Sequence, residues 1–230
     1  MEQKNNILAA AAHELRGPVS AIVLFTELLE DEGLAQLSAS QRELVSSIRS
    51  SGELVLKLVE DLLDASAFRL RNARLSLQRV DLASLADECI RLNGPLAYRK
   101  MLHLHLRGEG GSRCLTIDRL KILRVINELL TNAIRASAPG GTIEIRLSTR
   151  LRFVEIAIED EGSGICPEAL KELFTPFPKD ARARKSGERG LGLGLAIVKG
   201  IVLAHKGRIR VKSQVGIGST FVVSLPIETQ

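Results

Sequence analysis

Two long apolar seams, each stepping alternately by four and three residues, run through the first seventy positions of this chain. Leu8, Ala12, Leu15, Val19, Ile22, Thr26 and Leu29 form the first, and Leu44, Ile48, Ser51, Val55, Leu58, Leu62 and Ala65 form the second. That alternation keeps to one stripe of a helix and is the pattern of helices packed lengthwise. Residues 1–70 are therefore expected to form a helical hairpin. Gly33 is a stop signal, and Ser38 followed three residues later by Gln41 reads as a capping box for the second helix. Two helices alone bury little surface, and Leu28, Leu54, Val59 and Leu63 add apolar faces outside the seams. A homodimer making a four-helix bundle answers both points; a hairpin docked on the rest of its own chain is the alternative. Pro18 removes one backbone hydrogen bond inside the first helix and disfavours helical geometry at Gly17, so a kink is expected just after His13.

From about residue 74 the period changes. Arg74 to Val80 and Met101 to Arg107 alternate as strands do, and Asp81 to Tyr98 and Asp118 to Ser137 keep helical spacing. Thr142 to Ser148 and Phe153 to Glu159 read as strands joined by a short turn. Leu191 to His205 reads as a helix entered through glycines, and Arg208 to Ser213 and Ser219 to Leu225 as a terminal hairpin across Gly216 and Gly218. This predicts, for residues 71–230, an α+β two-layer sandwich with helices on one face of a mixed sheet.

Composition narrows the function. A net charge of +5 admits nucleic acid as a partner, but aromatic residues are 3%, tryptophan is absent and no DNA-binding motif is present, so none is expected. The run Lys179 to Lys185 supplies much of the excess and reads as a loop near phosphates. No apolar run approaches the roughly 20 residues that span a bilayer, and Met1 to Asn6 is polar, unlike a secretory signal. A cytoplasmic location with no membrane contact by this segment is expected, leaving a membrane-anchored longer parent open. Cys89, Cys114 and Cys166 are odd in number and lack metal spacing, so they read as packing residues. His103, His105 and His205 read as structural.

Three blocks carry chemistry. Glu128 and Asn132 stand four apart on one helix face, where an amide oxygen suits Mg²⁺, and Arg135 one turn on can reach a phosphate. Asp160-Glu161-Gly162-Ser163-Gly164 follows an apolar strand; a carboxylate at a strand end accepts from an exocyclic amine such as that of adenine, and glycines let the base approach. Gly190, Gly192 and Gly194 open a helix, whose free amides and dipole suit phosphate oxygens. The lysine of a P-loop and the βαβ unit of a Rossmann fold are both missing. Each block alone also has a bland reading as a polar stripe, a tight turn or a helix start.

Preceded by Ala12-His13-Glu14-Leu15-Arg16-Gly17-Pro18 and in this order, the blocks resemble the catalytic core of sensor histidine kinases of two-component signalling, from about residue 7 to 226. The second part resembles the ATP-binding domain shared with gyrase, Hsp90-type chaperones and mismatch-repair ATPases. The resemblance implies that His13 accepts the phosphoryl group of ATP, with Glu14 orienting or deprotonating the ring and Arg16 steadying charge. It implies Mg²⁺ at Asn132 and Glu128, and the adenine amine at Asp160 with Gly162, Gly164 and Ile165 lining the base. Gly190, Leu191, Gly192, Leu193, Gly194 and Leu195 would then lie along the phosphates. Residues 178–189 would be the ATP lid, with Phe174 and Phe177 anchoring its near end, and Thr220 would lie near adenine. A homodimer and a response regulator receiver domain are the implied partners.

The chain departs from that pattern at four places. Gly17 replaces the threonine whose hydroxyl serves dephosphorylation of the regulator, so phosphatase activity is expected to be weak. Glu128 stands where many histidine kinases have asparagine, Ala136 replaces a common aromatic, and Lys206 replaces a glycine. A nucleotide-binding scaffold without kinase activity and a serine kinase like the mitochondrial dehydrogenase kinases are the competing readings.

Overall fold

The computed structural model describes residues 2–33, 37–69, 75–108, 114–176 and 192–227; in the first two helices it describes the side chains of 15–30 and 37–59. Helix α1 (Glu2–Gly33) ends at the expected glycine and runs through Pro18 without interruption. Helix α2 (Ala39–Arg69) follows. The capping box is made in both directions: Ser38 N–H donates to Gln41 Oε1 at 2.8 Å and Gln41 N–H to Ser38 Oγ at 3.3 Å. The helices meet at Gly52, where a Cβ would come within 2.7 Å of Val23 Cγ2. Arg49 pairs with Glu30 across the hairpin at 2.5 Å.

The expected seam is not the inside of this hairpin. Thr26 is buried, its hydroxyl donating to Val23 O, but Leu15, Ile22, Leu29, Leu44, Ile48 and Val55 stay exposed. Close approach at Gly52 brings the helices together on a neighbouring face and leaves the apolar stripe open.

The remainder is β1 (Leu77–Asp81), α3 (Leu82–Arg99), β2 (His103–Gly108), β3 (Cys114–Asp118), α4 (Arg119–Ala136), β4 (Thr142–Arg150), β5 (Phe153–Asp160), α5 (Pro167–Glu172), α6 (Gly194–Ala204), β6 (Arg208–Gln214) and β7 (Gly218–Pro226). The main sheet has the order β2-β4-β5-β7-β6, and only the β2–β4 pair is parallel among its described strands. Strand β3 and helix α5 carry no strong period and were not expected; β3 pairs with β1 in a separate two-stranded sheet. Helix α6 begins at Gly194, three residues later than expected.

One face of the sheet carries the core. Ile143, Ile145, Ile156, Ile158, Val223 and Leu225 are all buried there, against α3, α4 and α6. The other face is polar, with Arg146 between Glu144 and Glu159 and Arg210 on Glu155. His103 and His105 are exposed on β2. Cys89 is buried, its thiol pushed up to about 12 by desolvation and facing Leu123 O.

Helix α4 is fastened at both ends. Asp118 caps its start, accepting from Lys121 N–H at 3.1 Å and from Ser76 N–H at 2.9 Å. Lys100 Nζ caps its end, donating to Ile134 O and Arg135 O at 3.0 Å and Ser137 O at 3.4 Å. Both charges oppose the helix dipole with the favourable sign. His205 adds a third tie: Nε2 accepts from Asp118 N–H at 3.0 Å, so Nδ1 carries the proton and donates to Ile201 O at 2.8 Å. Replacing His205 with Phe fills the space but strands the buried Asp118 N–H. Stability is expected to fall by about 1–3 kcal/mol, read by urea denaturation.

Candidate functional site

Helix α4 carries the first block. Glu128 is buried and Asn132 half-buried one turn on. Asn127, one position away, points elsewhere and accepts from Asn93 Nδ2 at 2.6 Å, holding α3. Glu128 Oε1 lies 2.9 Å from Lys57 Nζ of α2. Its Oε2 lies against the start of α6, where a Cβ on Gly194 would come within 2.7 Å. The carboxylate thus sits at the meeting point of the hairpin, α4 and the glycine entry to α6. Arg135 is exposed in the last turn of α4.

Asp160 ends β5, buried, with Oδ1 accepting from Gly162 N–H at 2.9 Å. Ser163 N–H donates to Ala136 O at 3.2 Å, tying this loop to the end of α4. On the other side the loop is stitched to the β6–β7 turn. Gly216 N–H donates to Ser163 O at 2.9 Å and Ile165 N–H to Ser213 Oγ at 2.8 Å. Gly164 has φ +66°, and a Cβ there would lie 2.0 Å from Gln214 O, so only glycine fits.

The register separates Thr220 from this site. Thr220 pairs with Glu159 and Lys212, and directly paired residues share a face, so it stands on the polar side of the sheet, away from Asp160. Ser219 takes its place: it pairs with Asp160, donates its N–H to that carboxylate, and contacts Ser213 Oγ at 2.9 Å. The period-two rule, applied from Asp160 across the strand pair, is the signal that picks out Ser219.

Leu193 is 1% exposed and packs in the core, leaving only its backbone free for a ligand, while Leu195 and Ile165 are half-buried against that core. Gly192 has φ +67°, and the first turn of α6 has no side-chain cap. Phe174 is half-buried with Lys199 Nζ 5.9 Å from its ring centroid. Arg16 is exposed on α1. The side chains of His13 and Glu14, together with Phe177, Gly190, Leu191 and residues 178–189, lie outside the described residues.

Sequence comparison agrees with this geometry. Residues 117–229 match the family of histidine kinase-, DNA gyrase B- and HSP90-like ATPases, and residues 3–69 match the His Kinase A phospho-acceptor domain. The chain belongs to the histidine kinases. It is 33% identical over 97% of its length to the alginate biosynthesis sensor protein KinB of Pseudomonas aeruginosa, and spans 37% of that protein. Full-length ShkA, solved in complex with AMPPNP, superposes with TM-score 0.82 at 27% identity over 98% of this chain and 46% of that one. The histidine kinase AdeS of Acinetobacter baumannii superposes with TM-score 0.69 at 28% identity, over 94% of this chain and 98% of that one. The second half of this histidine kinase core is thus an ATP-binding domain. No described helix is long and apolar enough to cross a membrane.

Burial pushes the Asp160 carboxyl above its ordinary value, and hydrogen bonds from Gly162 and Ser219 pull it only part of the way back. A carboxyl raised in the folded state favours the fold in its protonated form, fully below the unfolded value of 3.8 and less as pH climbs through the folded value. At neutral pH the ionised group therefore costs stability. Asp160→Asn keeps an oxygen for Gly162 and removes the charge. Its Tm at neutral pH is expected to exceed wild type by about 2 °C, the gap closing as pH falls towards 3.8, while ATP binding is lost. Thermal denaturation across pH and titration calorimetry with ATP read the two effects.

Proposed function

We propose that this chain is the ATP-dependent core that phosphorylates its own His13 and passes the phosphoryl group to an aspartate of a response regulator receiver domain. The observation that carries the reading is that the hairpin bearing His13 packs, through α2, on the helix that opens from the glycine block, with Glu128 at the junction. Phosphoryl transfer is mainly positioning and charge neutralisation. The unprotonated ring nitrogen of His13 attacks the γ-phosphorus as the bond to the β-phosphate oxygen breaks. ADP leaves, and Glu14 takes the proton from the other ring nitrogen, giving a phosphoramidate labile enough to pass on.

The residues present fit the nucleotide and its metal. Asp160 is a buried acceptor for the adenine amine, and the uncapped start of α6 supplies amides for phosphate. Glu128 and Asn132 offer two hard oxygen donors one turn apart, and no group of three or more potential ligands is found among the described residues. That is the donor set of Mg²⁺ held by one or two side chains and the nucleotide phosphates, rather than in an all-protein cage. When bound, the metal neutralises charge on the β- and γ-phosphates. Arg135 in the last turn of α4, Phe174 and Gly192 are the further residues this reading assigns to the nucleotide. The open apolar stripe on α1 and α2 supports a homodimer, since a second hairpin laid on it completes a four-helix bundle.

Incubation with γ-labelled ATP and Mg²⁺ tests the reading. Acid-labile label is expected on the wild type and none on His13→Gln. Acid-stable label retained in that variant would replace it with a serine kinase, and absence of label with ATP still bound would replace it with a nucleotide-binding scaffold.

Gly17 offers a second test. It is exposed, and a Cβ there meets nothing within 4 Å, so a larger side chain enters without disturbing the helix pair. Phosphatase activity towards the phosphorylated regulator is expected to be weak in the wild type and to rise at least about tenfold in Gly17→Thr, short of the roughly 10²–10⁴-fold that a fully positioned proton-transfer group contributes. The rate of regulator dephosphorylation, measured with His13→Gln in the background to remove the kinase reaction, reads the gain.

A further inference from the structure

The core face of the main sheet is built in rows that cross β4, β5, β7 and β6. Leu147, Ile156, Val223 and Ile209 form one row, and Ile145, Ile158, Phe221 and Val211 the next. Every member of both is apolar. The row after these reads Ile143, Asp160, Ser219 and Ser213. The core face thus turns polar at the end of the sheet that carries the Asp160 loop. Ser213, last in that row, belongs to none of the sequence blocks that carry chemistry.

Its hydroxyl has one hydrogen and two lone pairs, and all are committed. The hydrogen goes to Gly218 O at 2.9 Å, since a carbonyl only accepts. One lone pair accepts from Ile165 N–H at 2.8 Å. The remaining contact is Ser219 Oγ at 2.9 Å. Ser213 has no hydrogen left for it, so Ser219 is the donor there. With its hydrogen turned to Ser213, Ser219 Oγ offers only lone pairs to a group that comes beside Asp160. Asp160 offers the same. Its carboxylate accepts from Gly162 N–H at 2.9 Å and from Ser219 N–H, which leaves about half of its four acceptor positions. Both residues are buried.

We propose that Ser213 is a positioning residue that sets base specificity: by taking the Ser219 hydrogen it makes Asp160 and Ser219 a pair of acceptors for the two hydrogens of an exocyclic amine. Directly paired residues stand about 4.5–5.5 Å apart at Cα, so the two acceptors flank one small group. An amine on carbon 6 of a purine brings a hydrogen to each. A carbonyl oxygen on that carbon sets lone pairs against lone pairs on both sides and leaves buried acceptors unpaired, which a site built for an amine rejects strongly. Without Ser213 the Ser219 hydroxyl is free to rotate and to donate to that carbonyl. The inference deepens the reading of Asp160 as the acceptor for the adenine amine and rests on it.

Titration calorimetry of the whole chain with the Mg²⁺ complexes of adenosine and inosine diphosphate tests it, because inosine carries the carbonyl. The wild type is expected to prefer the adenosine nucleotide strongly. In Ser213→Ala the ratio of the two affinities is expected to fall about fivefold, as for one hydrogen bond gained by the carbonyl. Ser213→Thr keeps the hydroxyl and is expected to hold the wild-type ratio. A residue that only braced the turn would weaken both nucleotides by one factor, so an unchanged ratio in Ser213→Ala overturns the proposal. Ser219→Ala decides the question where loss of the Ile165 bond unsettles the fold, since Ser213 there keeps Ile165 and Gly218. Its ratio is also expected to fall, as the amine loses an acceptor that the carbonyl never used, and a ratio equal to wild type overturns the proposal. Equal binding of the two nucleotides by the wild type overturns the reading of Asp160 and the proposal with it.

Discussion

The site depends on helix α4 being held along its axis. A helix carrying functional side chains on one face is useful only if it cannot slide or roll, and here opposite charges are set at the two dipole ends. Asp118 gives its carboxylate to the first turn and Lys100 gives its ammonium to the last carbonyls. Asn127 fixes the roll by bonding Asn93 on α3, leaving Glu128 and Asn132 on another face of the helix. His205 carries the same constraint across the core, coupling the start of α4 to the end of α6. The glycine entry at one end of α6 and the imidazole at the other thus belong to one rigid pair of helices, and the Asp160 loop is fastened to the last turn of α4 through Ala136.

Two carboxylates are then buried within this frame at a cost. Asp160 is raised by desolvation, and Glu128 is enclosed beside α6 with Lys57 as its cation. Burying acids without full compensation costs stability, and such groups are where perturbed chemistry concentrates. The same accounting explains why the hairpin lies where it does. Docking α2 on α6 supplies a cation, Lys57, to a carboxylate that would otherwise be buried alone.

The architecture was legible because it rests on periods. The 4–3 steps of the hairpin, the alternation of Ile143 with Ile145 and of Ile156 with Ile158, and the glycine and proline punctuation each leave a direct mark on the chain. Strand β3 and helix α5 escaped because five or six residues with no strong alternation carry little signal. The seam is apolar as its period indicates, but periodicity shows that a stripe suits packing and not which helix covers it, and most of its described members stay exposed in the single hairpin. Thr220 failed for a related reason: a motif names a neighbourhood, whereas the face of a strand is decided residue by residue, and Ser219 is the one aligned with Asp160. Lys57 left no mark at all, because a contact between domains is a property of their docking and not of any local spacing.

The departures from the family pattern can be weighed by the room around them. At Gly17 the space is open, so the glycine is a choice of chemistry and not of packing. Position 128 is different. A glutamate reaches one methylene further than asparagine, and its Oε2 occupies the volume that a side chain on residue 194 would need. Glu128 and Gly194 are therefore neighbours whose volumes trade off: a Cβ at the helix entry would meet Oε2 and make the flexible acid shift. The extra reach is also what carries the carboxylate to α2. Glu128 is thus the residue that ties α4 to the phosphoacceptor hairpin, through Lys57 on α2.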